Sequence, residues 1–575
     1  MDTVMTHRAR IRMAAAPLAA LLFALVFTHC SSKQSKDMTQ ELTDFIARHE
    51  RAVKPLAREA AIAYFDATIS GSDEAYQKAA DLELALSTIY ADTVAFATLK
   101  EIRESGSIAE PMLARQLEVL YHEYLAKQIA PDKLEAMIRL SNATEKKFAT
   151  FRAEVGGRKL TDNEIEDVLK TSKNSAELEA AWTASKKVGA LVSEDVLALV
   201  RMRNESARKL GFKNYHAMQL ELSEQDPAAI EKLFDELDVL TRDAFAGLKG
   251  EIDAYLSKRL GVPADKLMPW HYQNRYFQEA PKLYAADLDG LYKDKDLVAI
   301  TTTYFAGIGL PIEDLVAKSD LFEKEGKYQH AYCTDIDREG DVRVVCNVKP
   351  NYNWMNTMLH EYGHAVYDKF NDRAVPYVLR EPAHTFTTEA IAMIFGRFAA
   401  HPVWMKDVAG VPAEKVDAVA ADARRSLRLE QLTFSRWVQV MYRFEKAMYE
   451  NPDQDLNTLW WDLVEKYQMI RRPEGRNAPD WASKIHVALY PAYYHNYLMG
   501  ELLASQLYYH IGGAVLKTDD VMAQSFAGRT EVGEYLRTKV FAPGATMHWN
   551  DMIEKATGEK LTAKYYARQF VEAGS

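Results

Sequence analysis

The stretch Met355-Asn356-Thr357-Met358-Leu359-His360-Glu361-Tyr362-Gly363-His364-Ala365-Val366 decides how this 575-residue chain is read. Two histidines four residues apart lie one above the other on a helix, so His360 and His364 can share one metal ion. Glu361 stands between them, where a general base would take a proton from water at that metal. This HExxH pattern is the signature of zinc hydrolases. The segment is predicted to be a helix that begins after Pro350, near Asn353, with Met355, Leu359, Tyr362, Val366 and Phe370 as its apolar stripe. The histidines sit beside that stripe and therefore face an interior cleft. A metal-free pair of core histidines is the plainer alternative, but two buried imidazoles with a carboxylate between them are costly unless each finds a partner.

A tetrahedral catalytic zinc needs a third protein ligand and one open position. Glu389 is the candidate, preceded by Thr387 and Thr388 as caps and followed by the apolar face Ile391, Ile394, Phe395 and Phe398. From spacing alone, Glu389 reads equally well as a solvated acid in a first helical turn.

Hydrophobic residues make up 48% of the chain, enough for a large core. No Pro/Gly/Ser-rich linker and no repeat appears after residue 40, so residues 41–575 read as one large domain. Most of it reads as helix. Thr161-Asp162-Asn163-Glu164 is a capping box that opens into Ile165, Val168 and Leu169. Asn174 starts a second run through Leu178, Ala181 and Trp182; Ser193 starts a third, which Gly211 ends. Strand character is scarce outside Ile336–Val348, and a hairpin is expected from His330 to Asn347 that turns at Arg338-Glu339-Gly340-Asp341. Cys333 and Cys346 are equidistant from that turn, and both a cross-strand disulfide and two buried thiols fit the spacing.

The first 29 residues differ in kind. Arg8, Arg10 and Arg12 precede an apolar run from Met13 to Phe27 that is shorter than a membrane span, the layout of a signal peptide. Cys30 follows at once, then Ser31, Ser32 and Lys33, and residues 30–40 resemble a bacterial lipoprotein tether, with His29 in place of the usual small residue. The expectation is an exported periplasmic or cell-envelope lipoprotein of a bacterium, attached to the membrane through a lipid on Cys30. A soluble periplasmic protein with an idle Cys30 is the alternative. The net charge of −11 becomes two units more negative once three arginines and one aspartate leave with the signal peptide. Such an acidic chain excludes nucleic acid as a partner, and no segment marks an obligate protein partner.

His330 lies 30 residues before His360, and Leu379-Arg380-Glu381 lies eight before Glu389-Ala390-Ile391. Further on come Trp460-Trp461, Leu463, Lys466-Tyr467-Gln468, Ile470, Arg476-Asn477, Lys484, His486-Val487, Tyr494 and Tyr497. In order and spacing this set resembles the angiotensin-converting enzyme family of zinc peptidyl-dipeptidases and its bacterial members. The likeness is specific over roughly residues 320–560 and looser before that. It implies a mainly α, two-lobed helical zincin with a deep central cleft and a small β-hairpin near the zinc helix.

The resemblance also implies roles. His360, His364 and Glu389 would bind Zn2+, and Glu361 would be the general base. His486 and Tyr497 would stabilise the oxyanion, where losing one donor costs about 100-fold to 1,000-fold in rate. His330, on the edge strand, would hold the backbone of a short peptide substrate. Lys484 and Tyr494 would receive its terminal carboxylate, with Gln273 as a third member. One residue is inserted between His486 and Tyr494, which leaves Tyr493 as an alternative to Tyr494. Asn496 replaces an arginine that binds chloride in the animal enzymes, so chloride activation is not expected. Met393 replaces an aspartate that would support a zinc-bound histidine. Read singly, Lys484 could be solvated, the tyrosines an aromatic wall and His330 and His486 structural. Two rival functions stand beside peptidyl-dipeptidase: a thimet-type endo-oligopeptidase, and a non-catalytic peptide-binding lipoprotein with a vestigial metal site.

Overall fold

The computed structural model describes residues 37–284 and 286–572. The signal peptide, Cys30 and most of the tether expected from the sequence lie outside the described residues. Among the described residues, no single helix is long and apolar enough to cross a membrane. The fold is mainly α, with two small two-stranded sheets among the described residues.

One contiguous hydrophobic core takes in residues from Ala153 to Phe570. A second, smaller core joins the N-terminal helices through Leu42, Phe45, Leu99, Leu120 and Tyr124 and reaches the segment before Glu389 at Leu379. The first helix, Met38–Ser70, turns back into Asp73–Tyr90 at Gly71, whose φ of +70° suits glycine. There its end meets the approach to the central hairpin: Tyr328 N–H donates to the Thr68 carbonyl at 2.8 Å, and a Cβ on Gly71 would stand 2.0 Å from the Gly326 oxygen.

Local signals were followed closely in several places. The Thr161 capping box forms and opens the helix Asp162–Thr171. Asn174 caps the next helix, and Gly211 takes φ +95° just past its end. That helix runs unbroken from Ser175 to Lys209, so Ser193 starts no new element. Val192 and Val196 on either side of it are fully buried, and their packing overrides the cap-like Ser193-Glu194-Asp195. The strands Ala153–Val155 and Arg158–Leu160 form a hairpin that the reading above did not anticipate. Gly156 and Gly157, both at positive φ, make its two-residue turn and were the available signal.

The central hairpin pairs Tyr332–Asp335 with Val342–Val345. Its register sets Cys333 opposite Val344, so Cys346 falls one residue past the last pair and diagonal to Cys333. Diagonal residues stand about 7–8 Å apart, beyond the reach of a disulfide, and both cysteines are free. His330 precedes the strand by two residues and is exposed, so it is not on the edge strand as expected.

The helix of the HExxH segment spans Tyr352–Lys369, with Asn351 as its cap, and Met355, Leu359, Tyr362 and Val366 are fully buried beneath it. It crosses the helix Thr385–Arg397 at Gly363, where a Cβ would stand 2.7 Å from the Ala392 Cα. A glycine inside a helix costs about 1 kcal/mol relative to alanine, so the helix gives up local stability for this approach. The helix His495–His510 packs against the other side at Gly500, where a Cβ would stand 3.2 Å from the Glu389 Cβ.

Gly363→Ala is therefore expected to destabilise the protein despite its better helix propensity, because overpacking costs about 1–3 kcal/mol. A lower urea midpoint at unchanged slope is the expected result; an unchanged or raised midpoint would show that the crossing has slack.

Candidate metal centre and substrate cleft

Three donor atoms converge where these helices meet. His360 Nε2 and His364 Nε2 are 3.3 Å apart, and Glu389 Oε2 lies 3.7 Å from the first and 3.8 Å from the second. A tetrahedral zinc with bonds of about 2.0–2.1 Å spaces its donors about 3.3–3.4 Å apart, so small side-chain adjustments close the set around one ion. Nitrogen, nitrogen and carboxylate oxygen are also the donor chemistry such a site uses. No other group of three His, Cys, Asp or Glu side chains among the described residues converges this way.

The electrostatics agree with the geometry. Burial lowers the His360 pKa to about 4, and burial plus the neighbouring His360 lowers that of His364 to about 3. Both rings are therefore neutral at pH 7, the form that ligates. Burial raises the Glu389 carboxyl to about 7, and no lysine or arginine among the described residues pairs with it. Burial, reinforced by Glu389, raises Glu361 to about 8. Two buried carboxylates without a basic partner form a local deficit of positive charge that a divalent cation would fill.

His364 Nδ1 is 2.8 Å from the Thr388 hydroxyl. Thr388 thus supplies the outer support that Met393 cannot give, and fixes which ring nitrogen faces the metal. The cap of this helix is His384, which accepts from the Phe386 N–H; Thr387 and Thr388 lie inside the first turn instead of capping it. Sequence spacing could not separate these roles, since Thr385, Thr387 and Thr388 are all plausible caps.

The downstream residues form a linked set of side chains that reaches Glu389. The Tyr497 ring centre is 5.4 Å from both Tyr493 and Tyr494, and the His486 ring is 5.0 Å from Tyr494. Tyr493 bonds Thr385, and the charge of Glu389 helps raise the pKa of both Tyr493 and Tyr497 after burial does. His486 Nδ1 is buried with no partner among the described residues, and burial followed by the charge of Lys484 lowers its pKa to about 4.

Lys484 is 8% exposed and forms no ion pair among the described residues; its ammonium donates to Gln278 Oε1 at 2.6 Å. The same ammonium stands 5.7 Å from the Tyr494 ring, whose hydroxyl accepts from Trp437 Nε1 at 2.8 Å. The insertion after His486 therefore leaves Tyr494 beside Lys484, and Tyr493 beside Thr385. Gln273 does not join this group: its amide donates to the Lys170 carbonyl at 3.2 Å. The glutamine that does is Gln278, which the sequence reading missed. Gln273 and Phe277 both take positive φ, and these reversals turn the two glutamines to different neighbours.

Asn496 accepts from Gln225 at 2.7 Å, and Gln225 Oε1 is 2.7 Å from His495. This neutral network occupies the position expected to lack a halide-binding arginine. The His330 ring lies 5.3 Å from that of Tyr328, tilted by 56°, at the exposed approach to the hairpin.

The peptidase family M2, angiotensin-converting enzyme, has a family model that matches residues 36–570. Among similar proteins, the angiotensin-converting enzyme of Haematobia irritans exigua is 22% identical over 454 residues, 71% of this chain and 72% of that protein. The inactive angiotensin-converting enzyme-related protein of Caenorhabditis elegans is 20% identical over 441 residues, 69% of this chain and 48% of that protein. Thermostable carboxypeptidase 1 of Pyrococcus furiosus is 23% identical over 270 residues, 42% of this chain and 51% of that protein. The match thus spans about half the length of each of the last two relatives.

A ligating carboxyl that titrates near 7 before metal arrives must lose its proton on binding. Metal affinity is thus expected to rise with pH up to about 7, and calorimetry in buffers of different ionisation enthalpy should record proton release at pH 6. Glu389→Gln should abolish stoichiometric metal retention; retention by that variant would remove Glu389 from the donor set.

Proposed function

Because the chain belongs to the angiotensin-converting enzyme family of peptidases, we propose that it is a zinc-dependent peptidyl-dipeptidase that hydrolyses short peptides near their C-terminus. One observation carries the reading beyond the family: a buried ammonium, Lys484, without an ion-pair partner among the described residues, is linked through the rings of Tyr494 and Tyr497 to the converging His360, His364 and Glu389. The zinc dependence general in this family and the fit of the three donors support zinc as the resident metal. Bound there, it would supply Lewis acidity and lower the pKa of water to about 7.

The remaining steps belong to side chains of the protein. Glu361 takes the proton of the attacking water and returns it to the leaving amine, a role for which a pKa raised by burial is suited. Tyr497 and His486 donate to the carbonyl oxygen as it gains charge. Lys484, held at about pKa 8 chiefly by burial, remains mostly charged at pH 7 and pairs with the substrate's terminal carboxylate, with Gln278 and Tyr494 fixing its direction. A vestigial peptide-binding site has no need of Glu361 beside three metal donors, and an endo-acting enzyme has no need of Lys484. Export and a lipid anchor on Cys30 are part of the proposal on sequence grounds alone, and mass spectrometry of the N-terminal peptide tests them.

Glu361→Gln should lose about 100-fold to 10,000-fold in kcat with metal content intact, and Tyr497→Phe about 100-fold to 1,000-fold. Turnover of either variant at the wild-type rate would sink these assignments. For the C-terminal recognition, a decapeptide and its amidated form are to be compared. The free acid should release a dipeptide, and both amidation and Lys484→Ala should raise KM steeply. If Lys484→Ala and the wild type discriminate equally between acid and amide, the carboxylate is held elsewhere.

A further inference from the structure

A cavity of about 590 Å3 shares none of the residues given roles above. Ile394, Phe398, Tyr508 and Phe570 line it, and each is at most 6% exposed to solvent. Its volume lies within the range of about 300–1,000 Å3 typical of small-molecule sites.

One wall is the helix Ala413–Glu450, which turns Ala421, Arg424, Arg425 and Arg428 toward the cavity. These positions are spaced by three and four, one face of a helix; Ala421, Arg424 and Arg425 are exposed and Arg428 is half-buried, so this face forms the mouth of the cavity. Arg425 pairs with Asp422, and Arg397 at the far wall pairs with Glu501. The other two cations are not neutralised. Arg424 makes no hydrogen bond or ion pair among the described residues. Arg428 donates Nε to the Phe570 carbonyl at 2.9 Å and makes no other hydrogen bond or ion pair among the described residues. Arg397 adds a buried Nε without a partner. Asp520 is the one acidic residue lining the cavity. A net positive rim over an apolar floor is notable on a chain whose overall charge is −11.

Arginines can cover an apolar groove merely by laying their stems along it. Such covering would not by itself leave free guanidinium faces at the mouth of a cavity with empty volume behind them. A planar guanidinium fork matches a carboxylate or phosphate head, and the aromatic and aliphatic floor matches an apolar chain.

We propose that this cavity binds an amphiphilic anion, a single apolar chain ending in a carboxylate or phosphate, with Arg424 and Arg428 at its head and Phe398, Tyr508 and Phe570 along its tail. The site is independent of the peptidase reading. Its wall residues Ile394, Arg397 and Phe398 continue the helix that carries Glu389, two turns or about 12 Å along, so occupancy would bear on the frame of the metal centre without touching it.

Isothermal titration of the full chain with dodecanoate, dodecyl phosphate, dodecanol and acetate tests this. At least one of the two anions should bind with unit stoichiometry, and which one binds identifies the head. Dodecanol should bind at least about tenfold more weakly, because charge-assisted hydrogen bonds contribute on that scale, and acetate should not bind measurably. Arg424→Glu should weaken the anion at least tenfold and leave dodecanol unaffected, with an unchanged melting temperature because Arg424 makes no internal bond. Ala421→Trp, at the exposed mouth, should block binding by bulk and guards against any folding defect of the charge reversal. No saturable binding of either anion, equal affinity for dodecanol, or undiminished binding by Arg424→Glu would overturn the proposal.

Discussion

Glu389, a half-buried carboxyl set against two neutral imidazoles with no lysine or arginine partner among the described residues, shapes everything built around it. Glu389, His360 and His364 lie on two different helices, and their donors come within 3.8 Å of one another only because those helices nearly touch. The contact is made at Gly363, where any side chain would collide with the Ala392 backbone. Helix propensity is given up at one position so that charge can be concentrated a few ångströms away. An arrangement of this kind is unfavourable without a cation, and that is what marks it as a candidate metal centre.

The frame around the centre is built to hold that crossing. Gly500 admits a third helix against Glu389 and thereby carries Tyr497 to the cleft. Thr388 orients His364, and the Trp437 indole orients Tyr494 beside Lys484. His486 Nδ1 has no partner among the described residues, and the ammonium of Lys484 has a single amide partner.

The cavity lined by Phe398, Tyr508 and Phe570 follows a different logic. There the charges are unmet not because a metal would fill them but because the mouth of an apolar hollow is rimmed by arginines from one helix face. The two sites share the helix Thr385–Arg397, with Glu389 at its first turns and Arg397 at its last. In a tightly packed interior a shift at one end of so short an element is felt at the other.

The HExxH helix, its apolar stripe, the Thr161 capping box, the Asn174 cap and the mainly helical class were legible from residue order, because each rests on periodicity or on side chains bonding their own backbone a few residues away. Glu389 was legible only through family likeness, since its spacing is that of any first-turn acid. What residue order left open was everything that depends on how distant segments turn. The hairpin register separates Cys333 from Cys346 by one position, two positive-φ reversals exchange Gln278 for Gln273, buried valines carry a helix through Ser193, and His384 displaces Thr387 and Thr388 as a cap. The sequence by itself determined which chemistry the chain carries, because local patterns encode residue type and helix face. Only the tertiary structure decided which groups meet, because that depends on close approach at Gly363 and Gly500 and on loop conformations that no short-range pattern encodes.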